Sequence, residues 1–419
     1  MKRSDIEIMA PAGSRETLRA AVAGGADSVY FGVGRLNMRA RSSDNFTVDD
    51  LQELAELCRD NGMKSYLTLN IVMYDDEMEE MRAILDSAVS AGVSAVIATD
   101  QAAITAARER GLEVHLSTQL NISNSESLRF YSQWADVAVL SRELNLQQVR
   151  KIHDTIIRDD IRGPGGDLIR LEMFVHGALC MAVSGKCYLS LHEYNTSANR
   201  GNCYQTCRRG YTVTDRETGY ELDIDNEFIM SPKDLCTIGF LDQIIDSGAR
   251  VLKIEGRARP AEYVKTVTEC YSEAAAAVAE GTFGPERVSG WMSRLETVFN
   301  RGFWDGWYLG QRLGEWSTTY GSAATKRKIY LGKITNFFSR PGVAEIRLET
   351  GSLSVGDELI ITGPTTGIVE YTVTGLRDSL ENDADTVPKG ELCSIQVPAQ
   401  VRRSDKVFRR VDASSLRKE

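Results

Sequence analysis

Eight repeats of one pattern, a short apolar run followed by a stretch with helical periodicity, constrain this chain more than any other feature. The runs expected to form strands cover residues 6–10, 28–31, 65–69, 95–98, 113–116, 137–140, 168–175 and 251–254. Helices are expected from Ser14, as a cap, through Leu18, Ala21 and Val22, then over 48–59, 77–90, 102–110, 125–134, 146–157, 235–247 and 261–280. The second of these places Leu51, Leu54, Ala55 and Cys58 on one face. Eight such units, joined by short connections everywhere except after the seventh strand, predict an α/β fold of the TIM type, a (β/α)8 barrel, in preference to an open doubly wound sheet. The first strand is followed by no Gly-x-Gly-x-x-Gly turn, and no Walker-type Gly-Lys-Ser/Thr occurs, which leaves dinucleotide and P-loop folds unsupported.

A barrel of this kind does its chemistry where strands end and βα loops begin. Those positions hold Pro11-Ala12-Gly13, Gly32, Asn70, Asp100, Ser117 with Gln119 and Asn121, Ser141-Arg142-Glu143, His176-Gly177 and Glu255-Gly256-Arg257. They are polar where the strand bodies are apolar. Ser141 and Asn121 are equally explained as helix caps. Arg142, His176, Glu255 and Arg257 fit a pocket better. Two arginines on one rim favour an anionic, carboxylate-bearing ligand, because the guanidinium fork matches carboxylate geometry.

Half of the eight cysteines, Cys180, Cys187, Cys203 and Cys207, fall in the polar insertion after the seventh strand, residues 177–230, with Cys236 just beyond it. No apolar run approaches the roughly 18 residues of a membrane span, and Met1-Lys2-Arg3 leads into Asp5 and Glu7, not into a signal-peptide core. The chain therefore reads as cytoplasmic, where clustered thiols point to a metal site before disulfides. Six, fifteen and three residues separate the four cysteines. That spacing is irregular for zinc knuckles and acceptable for an iron-sulfur cluster. Four thiolates are needed and five are available, so Cys236, expected to open a helix, stays an alternative to Cys207. Cys58, Cys270 and Cys393 read as buried small hydrophobes.

The barrel is expected over residues 1–283, a helical and aromatic connector over 284–325, a small antiparallel β-barrel over 326–412 and a tail over 413–419. Within the small barrel, Gly351-Ser352-Leu353-Ser354-Val355-Gly356-Asp357 resembles a turn of the second domain of translation elongation factors, which implies an RNA-facing module. Lys326-Arg327-Lys328, Arg402-Arg403, Lys406 and Arg409-Arg410 flank it, as a solvated surface or a nucleic-acid contact. The net charge of -10 argues against a protein that coats nucleic acid generally, without excluding such a local surface.

Glu172-Met-Phe-Val-His-Gly-Ala-Leu-Cys180 and Met-Ala-Val-Ser-Gly185-Lys-Cys187-Tyr-Leu-Ser190 resemble the signature of the U32 family, long labelled collagenase-like peptidases. Pro11-Ala12-Gly13, Ala26 to Gly32, Ser141 to Leu144, Asn199-Arg200-Gly201, Lys253 to Arg257 and Phe299 to Phe303 resemble further landmarks of that family. The resemblance implies oxygen-independent hydroxylation: of wobble uridine in tRNA with prephenate as hydroxyl source, of a ribosomal RNA cytidine, or of the ubiquinone ring. One barrel plus one small β domain most resembles the tRNA uridine branch. The resemblance further implies a 4Fe-4S cluster on Cys180, Cys187 and Cys203, with Cys207 or Cys236 as the fourth ligand. Prephenate is a dicarboxylate, in agreement with an arginine-rich rim.

On this reading His176, Glu255 and Arg257 are assigned to catalysis, and Arg142, Glu143, Gln119, Asn121 and Arg200 to substrate. The expected partners are tRNA or rRNA, a small dicarboxylate, and an electron donor or a related U32 subunit, with no membrane. Glu172, alternating along its strand, reads equally as a barrel-core carboxylate. The alternatives are a peptidase, a ribosomal RNA or quinone hydroxylase, or a cluster-carrying partner protein. Proteolysis needs an activated nucleophile or a metal-bound water. No Gly-x-Ser-x-Gly or His-Glu-x-x-His is present, and His176 followed by Cys180 is no recognised dyad.

Overall fold

The computed structural model describes residues 1–41, 46–219, 221–222, 230–311 and 314–416. Eight parallel strands, Glu7–Pro11, Ser28–Phe31, Lys64–Leu69, Ala95–Ala98, Glu113–Leu116, Val137–Val139, Arg170–Gly177 and Ala249–Ile254, pair each with the next. The eighth also pairs with the first, Glu7 opposite Val251, and with the seventh, Ala249 opposite Leu171, so the ring closes. The expected TIM-type barrel is thus present, with its strands within about two residues of the sequence reading. Helices start where side chains satisfy their free N–H groups. Ser14, Asp100, Asn124 and Asn145 accept from the backbones of Thr17, Ala102, Ser127 and Gln148.

The lumen is layered. Met9, Tyr30, Tyr66, Ala95, Ile97, Val137 and Val251 form an inner apolar cluster. Among them run buried polar groups. The Tyr66 hydroxyl donates to Glu7 at 2.6 Å, and Lys253 Nζ donates to Glu172 Oε1 at 2.7 Å, with both side chains at 5% exposure or less. Isolated charges this deep are too costly to persist, so each is paired.

Two connections depart from expectation. The connection after the second strand is long, and its described part, residues 32–41, brings Asn37 and Arg39 over the barrel mouth. The segment expected as a helix over 235–247 begins as a short strand, Asp234–Cys236, then turns through Ile238–Phe240 into the helix Leu241–Asp246. Leu235, Ile238 and Leu241 satisfy a helical period. The unpaired edge at the end of the seventh strand wins, and Leu235 and Cys236 pair antiparallel with Gly177 and His176. Phe303–Trp304 then adds parallel to that strand. The connector over 284–325 therefore contributes a strand to the barrel's own sheet.

The seventh strand carries a bulge. Lys253 lies opposite Phe174 and Ile254 opposite His176, which leaves Val175 as the extra residue. Its carbonyl is not orphaned, since it accepts from Tyr271 Oη at 2.7 Å and from Thr237 N and Oγ1 at 3.1 and 3.0 Å. Tyr271 and Tyr263 project from the helix Ala261–Glu280, whose bounds match the sequence reading, and Tyr263 Oη caps the Glu255 carbonyl at 2.8 Å.

The C-terminal part is antiparallel, as expected. Its six-stranded sheet runs in the order Gly367–Thr372, Glu358–Gly363, Lys406–Asp412, Lys326–Phe338, Val343–Leu348 and Leu392–Gln396, with Leu353–Ser354 and Thr386–Val387 as a separate ribbon. Leu331, Ile346, Leu353, Ile361 and Val407 lie in one core beneath them. It docks on the helices Arg15–Ala23 and Ala261–Glu280 through Lys265 to Glu370 at 2.5 Å, Lys328 to Glu262 at 2.8 Å and Arg19 Nε to the Pro364 carbonyl at 3.0 Å. Much of the flanking basic sequence is thereby accounted for, because Lys326, Lys328, Arg409 and Arg410 all stand in ion pairs.

Candidate active site at the barrel mouth

Cys180, Cys187, Cys203 and Cys207 line one cavity of about 220 Å³ at the C-terminal end of the barrel. All four are free thiols, Cys180 exposed and the others half-buried. The insertion that carries them is tied to the barrel at three points. Arg208 donates to the carbonyls of Leu179 and Pro232 at 2.5 and 2.7 Å, and Asn121 Nδ2 donates to the Ser184 carbonyl at 3.3 Å. The third tie is Arg200, which grips the buried Glu77 with both arms, donates to the Val72 carbonyl at 2.6 Å and stacks on Tyr74. Gly201 follows at φ 81°, where a Cβ would sit 2.3 Å from the Asn37 carbonyl oxygen, so only glycine fits.

The Arg200 tie carries a pH signature. Its hydrogen bonds, overcoming burial, hold the Glu77 carboxyl down at about 2 against an ordinary 4.5. A depressed carboxyl stabilises the fold fully above its unfolded pKa, and that stability is lost as pH falls through the folded value. Hydrogen exchange across residues 197–203 is therefore expected to show full protection above about pH 4.5 and progressive loss towards about pH 2. Glu77→Gln is expected to abolish that step; a step that persists unchanged in the variant overturns the assignment.

Burial raises the Cys207 thiol to about 11 despite Arg208, and Cys180, Cys203 and Cys187 push the same way. Cys187 is raised by burial and by Cys180 and Cys203, against a hydrogen bond from the Leu189 backbone. Two thiols so opposed in ionising, Cys187 and Cys207, are favoured as thiolates by a positive centre. Among the described residues no three of His, Cys, Asp and Glu converge tightly enough to hold a single metal ion. The donor set on this cavity is all sulfur, the chemistry that an iron-sulfur cluster takes.

The same cavity is also lined by cations. Arg257 is buried and donates to Asn37 Oδ1 at 3.0 Å and Thr68 Oγ1 at 2.8 Å; burial lowers its pKa to about 10. Arg142 lies over the Phe174 ring at 3.9 Å, and one of its arms donates to the Ala178 carbonyl at 3.1 Å. Neither meets a carboxylate among the described residues. Arg39 does, through Glu255. Burial would raise that carboxyl, but Arg39 holds it at about 2. Lys253 reaches the cavity floor under Tyr30, its pKa lowered by burial against the opposing pull of Glu172.

Of the residues assigned from sequence, the structure brings Cys180, Cys187, Cys203, Cys207, Arg142, Gln119, Glu255 and Arg257 to this cavity. Gln119 Oε1 accepts from Thr99 and Ser117 at 2.8 and 3.0 Å, which fixes it as a wall. Others are not brought there. Glu143 is exposed and takes the Ser141 hydroxyl, Asn121 is a strut in the left-handed region at φ 53°, and Arg200 is consumed by its tie. His176 is turned out of the lumen by the bulge at Val175. It packs among Tyr263, Tyr271 and Phe303, where burial first and Arg259 second depress it to about 3. Cys236 sits in the wall with its Sγ 3.7 Å from Met292 Sδ, away from the other four.

The description "Peptidase family U32" matches residues 13–318, most of the chain, including barrel, insertion and connector. The chain belongs to peptidase family U32. Among U32 relatives, a collagenase of Porphyromonas gingivalis is 60% identical over 409 residues, covering 98% of this chain and 99% of that protein. The tRNA hydroxylation protein P1 of Bacillus subtilis is 31% identical over 394 residues, 90% of this chain and 88% of that one. A 23S rRNA 5-hydroxycytidine synthase of Escherichia coli is 34% identical over 320 residues, 74% of this chain and 46% of that one.

This U32 chain also holds site residues that the sequence reading passed over. Arg39 and Asn37 come from the long loop, and Lys253, Tyr30, Thr68 and Arg259 face the same cavity or its rim. Lys253 had a signal, since it is a cation in the middle of an apolar strand, as Glu172 is an anion in its neighbour. Arg39 had none beyond its position after a strand end.

Proposed function

We propose that this U32 chain hydroxylates RNA without molecular oxygen. In this reading it forms 5-hydroxyuridine at the wobble position of tRNA, with a dicarboxylate of the prephenate kind as hydroxyl source and a 4Fe-4S cluster on Cys180, Cys187, Cys203 and Cys207. One observation carries the reading: four thiols and two guanidiniums without carboxylate partners share a single cavity. Arg142 and Arg257 suit the two carboxylates of the donor, since guanidiniums freed of internal partners are strong anion ligands in a desolvated site. Lys253 holds a proton at Nζ on the cavity floor, and the Arg39–Glu255 pair fixes the loop that covers it. A cluster held by these four thiolates would supply one-electron transfer. The relatives named for tRNA hydroxylation and rRNA hydroxycytidine synthesis support RNA as the substrate.

The collagenase name borne by the P. gingivalis relative favours a second reading, hydrolysis. The geometry gives it little support. His176 and Cys236 are cross-strand neighbours, but both are buried, the imidazole held neutral at about 3 and the thiol pushed up to about 12 by burial. Neither serves as base or nucleophile at neutral pH.

Nucleoside mass spectrometry on RNA from a deletion strain tests the proposal. The expected outcome is loss of 5-hydroxyuridine derivatives from tRNA, restored by the wild-type gene and not by Cys187→Ala. Unchanged tRNA removes the reading, and a loss confined to a ribosomal cytidine moves the substrate to rRNA.

A further inference from the structure

A second cavity of about 160 Å³ adjoins the first and shares Arg142, Leu179, Cys180 and Ser184 with it. Its outer wall is aromatic. Trp304 and Trp307 meet edge to face at 5.3 Å, and Trp316 stands with 37% of its surface exposed. None of these tryptophans is used by the chemistry above. Two buried donors on the lining have no hydrogen-bond partner among the described residues, the indole Nε1 of Trp304, a residue only 5% exposed, and Nε of Arg142. An unpartnered buried N–H is rare in native proteins because it forfeits its hydration with nothing in return. Glu143 adds an acceptor: one of its carboxylate oxygens takes the Ser141 hydroxyl, and the other is open among the described residues.

Size and chemistry together narrow the occupant. The volume falls below the roughly 300 Å³ at which drug-sized ligand pockets begin, so it suits one ring. Tryptophan walls suit a flat ring. Two donors and a carboxylate complement an edge that presents two carbonyl oxygens and one N–H. Uracil has that edge: O4 and O2 accept and N3–H donates. Cytosine replaces one carbonyl by an amino donor, and purines need room for two rings.

We propose that this tryptophan cavity receives the target uracil of the RNA, swung out of its strand, while the thiol-lined cavity next to it receives the anionic donor. The inference rests on the RNA reading given above and deepens it by assigning the two substrates to separate chambers. Cys180 and Arg142 stand in the partition between them. Enzymes that modify a base commonly extrude it into a close-fitting pocket and read its pairing edge there.

The test is binding of an RNA stem-loop to the full chain, followed by fluorescence anisotropy at one fixed salt concentration. One stem-loop carries uridine at the wobble position and a second carries an abasic ribose there. Base–aromatic stacking predicts that the wild type binds the uridine form about tenfold more tightly. Trp316→Leu and Trp304→Phe, the second keeping a six-membered aromatic ring while losing the donor and the fused five-membered ring, are expected to erase most of that preference. Both are expected to bind the abasic form as the wild type does, which shows the fold and the backbone contacts intact. Equal wild-type binding of the two stem-loops overturns the base pocket and leaves the RNA reading standing, as does a preference unchanged in both variants. A wild type that binds neither stem-loop overturns the RNA reading itself, and the base pocket with it.

Discussion

Protein purified without air will contain iron and acid-labile sulfide, and alanine at Cys180, Cys187, Cys203 or Cys207 will each remove most of both. Cys236→Ala will leave the content unchanged. The four thiols share one cavity wall, whereas the Cys236 thiol points at Met292 and is pushed by burial to about 12, out of reach of easy ionisation. A cluster that loses one of four thiolates loses its charge balance as well as a bond, so the expected effect is near-complete loss. Iron and sulfide assays with the visible absorption spectrum decide it. Stoichiometric zinc in place of iron, or iron lost from Cys236→Ala and kept in Cys207→Ala, overturns the ligand set.

Lys253→Met is expected to cost the fold about 3–5 kcal/mol, the range for breaking a buried ion pair from one side. The substitution leaves the Glu172 carboxylate inside the lumen with its other oxygen facing His115 Nδ1 at 3.4 Å, a contact that forms no hydrogen bond in this geometry. Glu172→Gln added to Lys253→Met is expected to return most of the loss, because the uncompensated charge is gone. Urea denaturation of the single and double variants measures both quantities. A single substitution that costs less than about 1 kcal/mol would show that water or a rearranged neighbour already compensates the pair.

The eight barrel strands were legible because each is a short apolar run between turn residues, and burial on both faces leaves no other reading for so many of them. The gathering of four thiols was legible because Cys180, Cys187, Cys203 and Cys207 fall within one short polar insertion. His176 was assigned to the pocket from its place at a strand end, which does not say which way the side chain faces. One extra residue, Val175, inverts the face of everything after it, and no local signal marks that bulge. Its support comes from Thr237 and Tyr271, far away in sequence. Cys236 was expected to open a helix because an i, i+3 apolar pattern over Leu235, Ile238 and Leu241 is helical until an open strand edge competes for it. Arg200 carried the right charge in the right region, and only its bonds to Glu77 and the Val72 carbonyl show it to be a tie. Arg39 was hidden by the assumption of short βα connections, which the long connection after Phe31 breaks.

The strand Phe303–Trp304, laid against Asp234–Cys236, decides where this chain can be cut. A fragment ending after the eighth βα unit, near residue 283, would look complete on a topology diagram. It would lack the strand that covers Leu235, the Tyr308 hydroxyl that caps the Phe174 carbonyl at 2.8 Å, and Arg301, which answers the buried Asp234 at 3.2 Å. The portable unit for grafting or crystallisation therefore runs through the tryptophan segment, and a gene fusion or circular permutation placed between barrel and connector would sever a sheet instead of a linker.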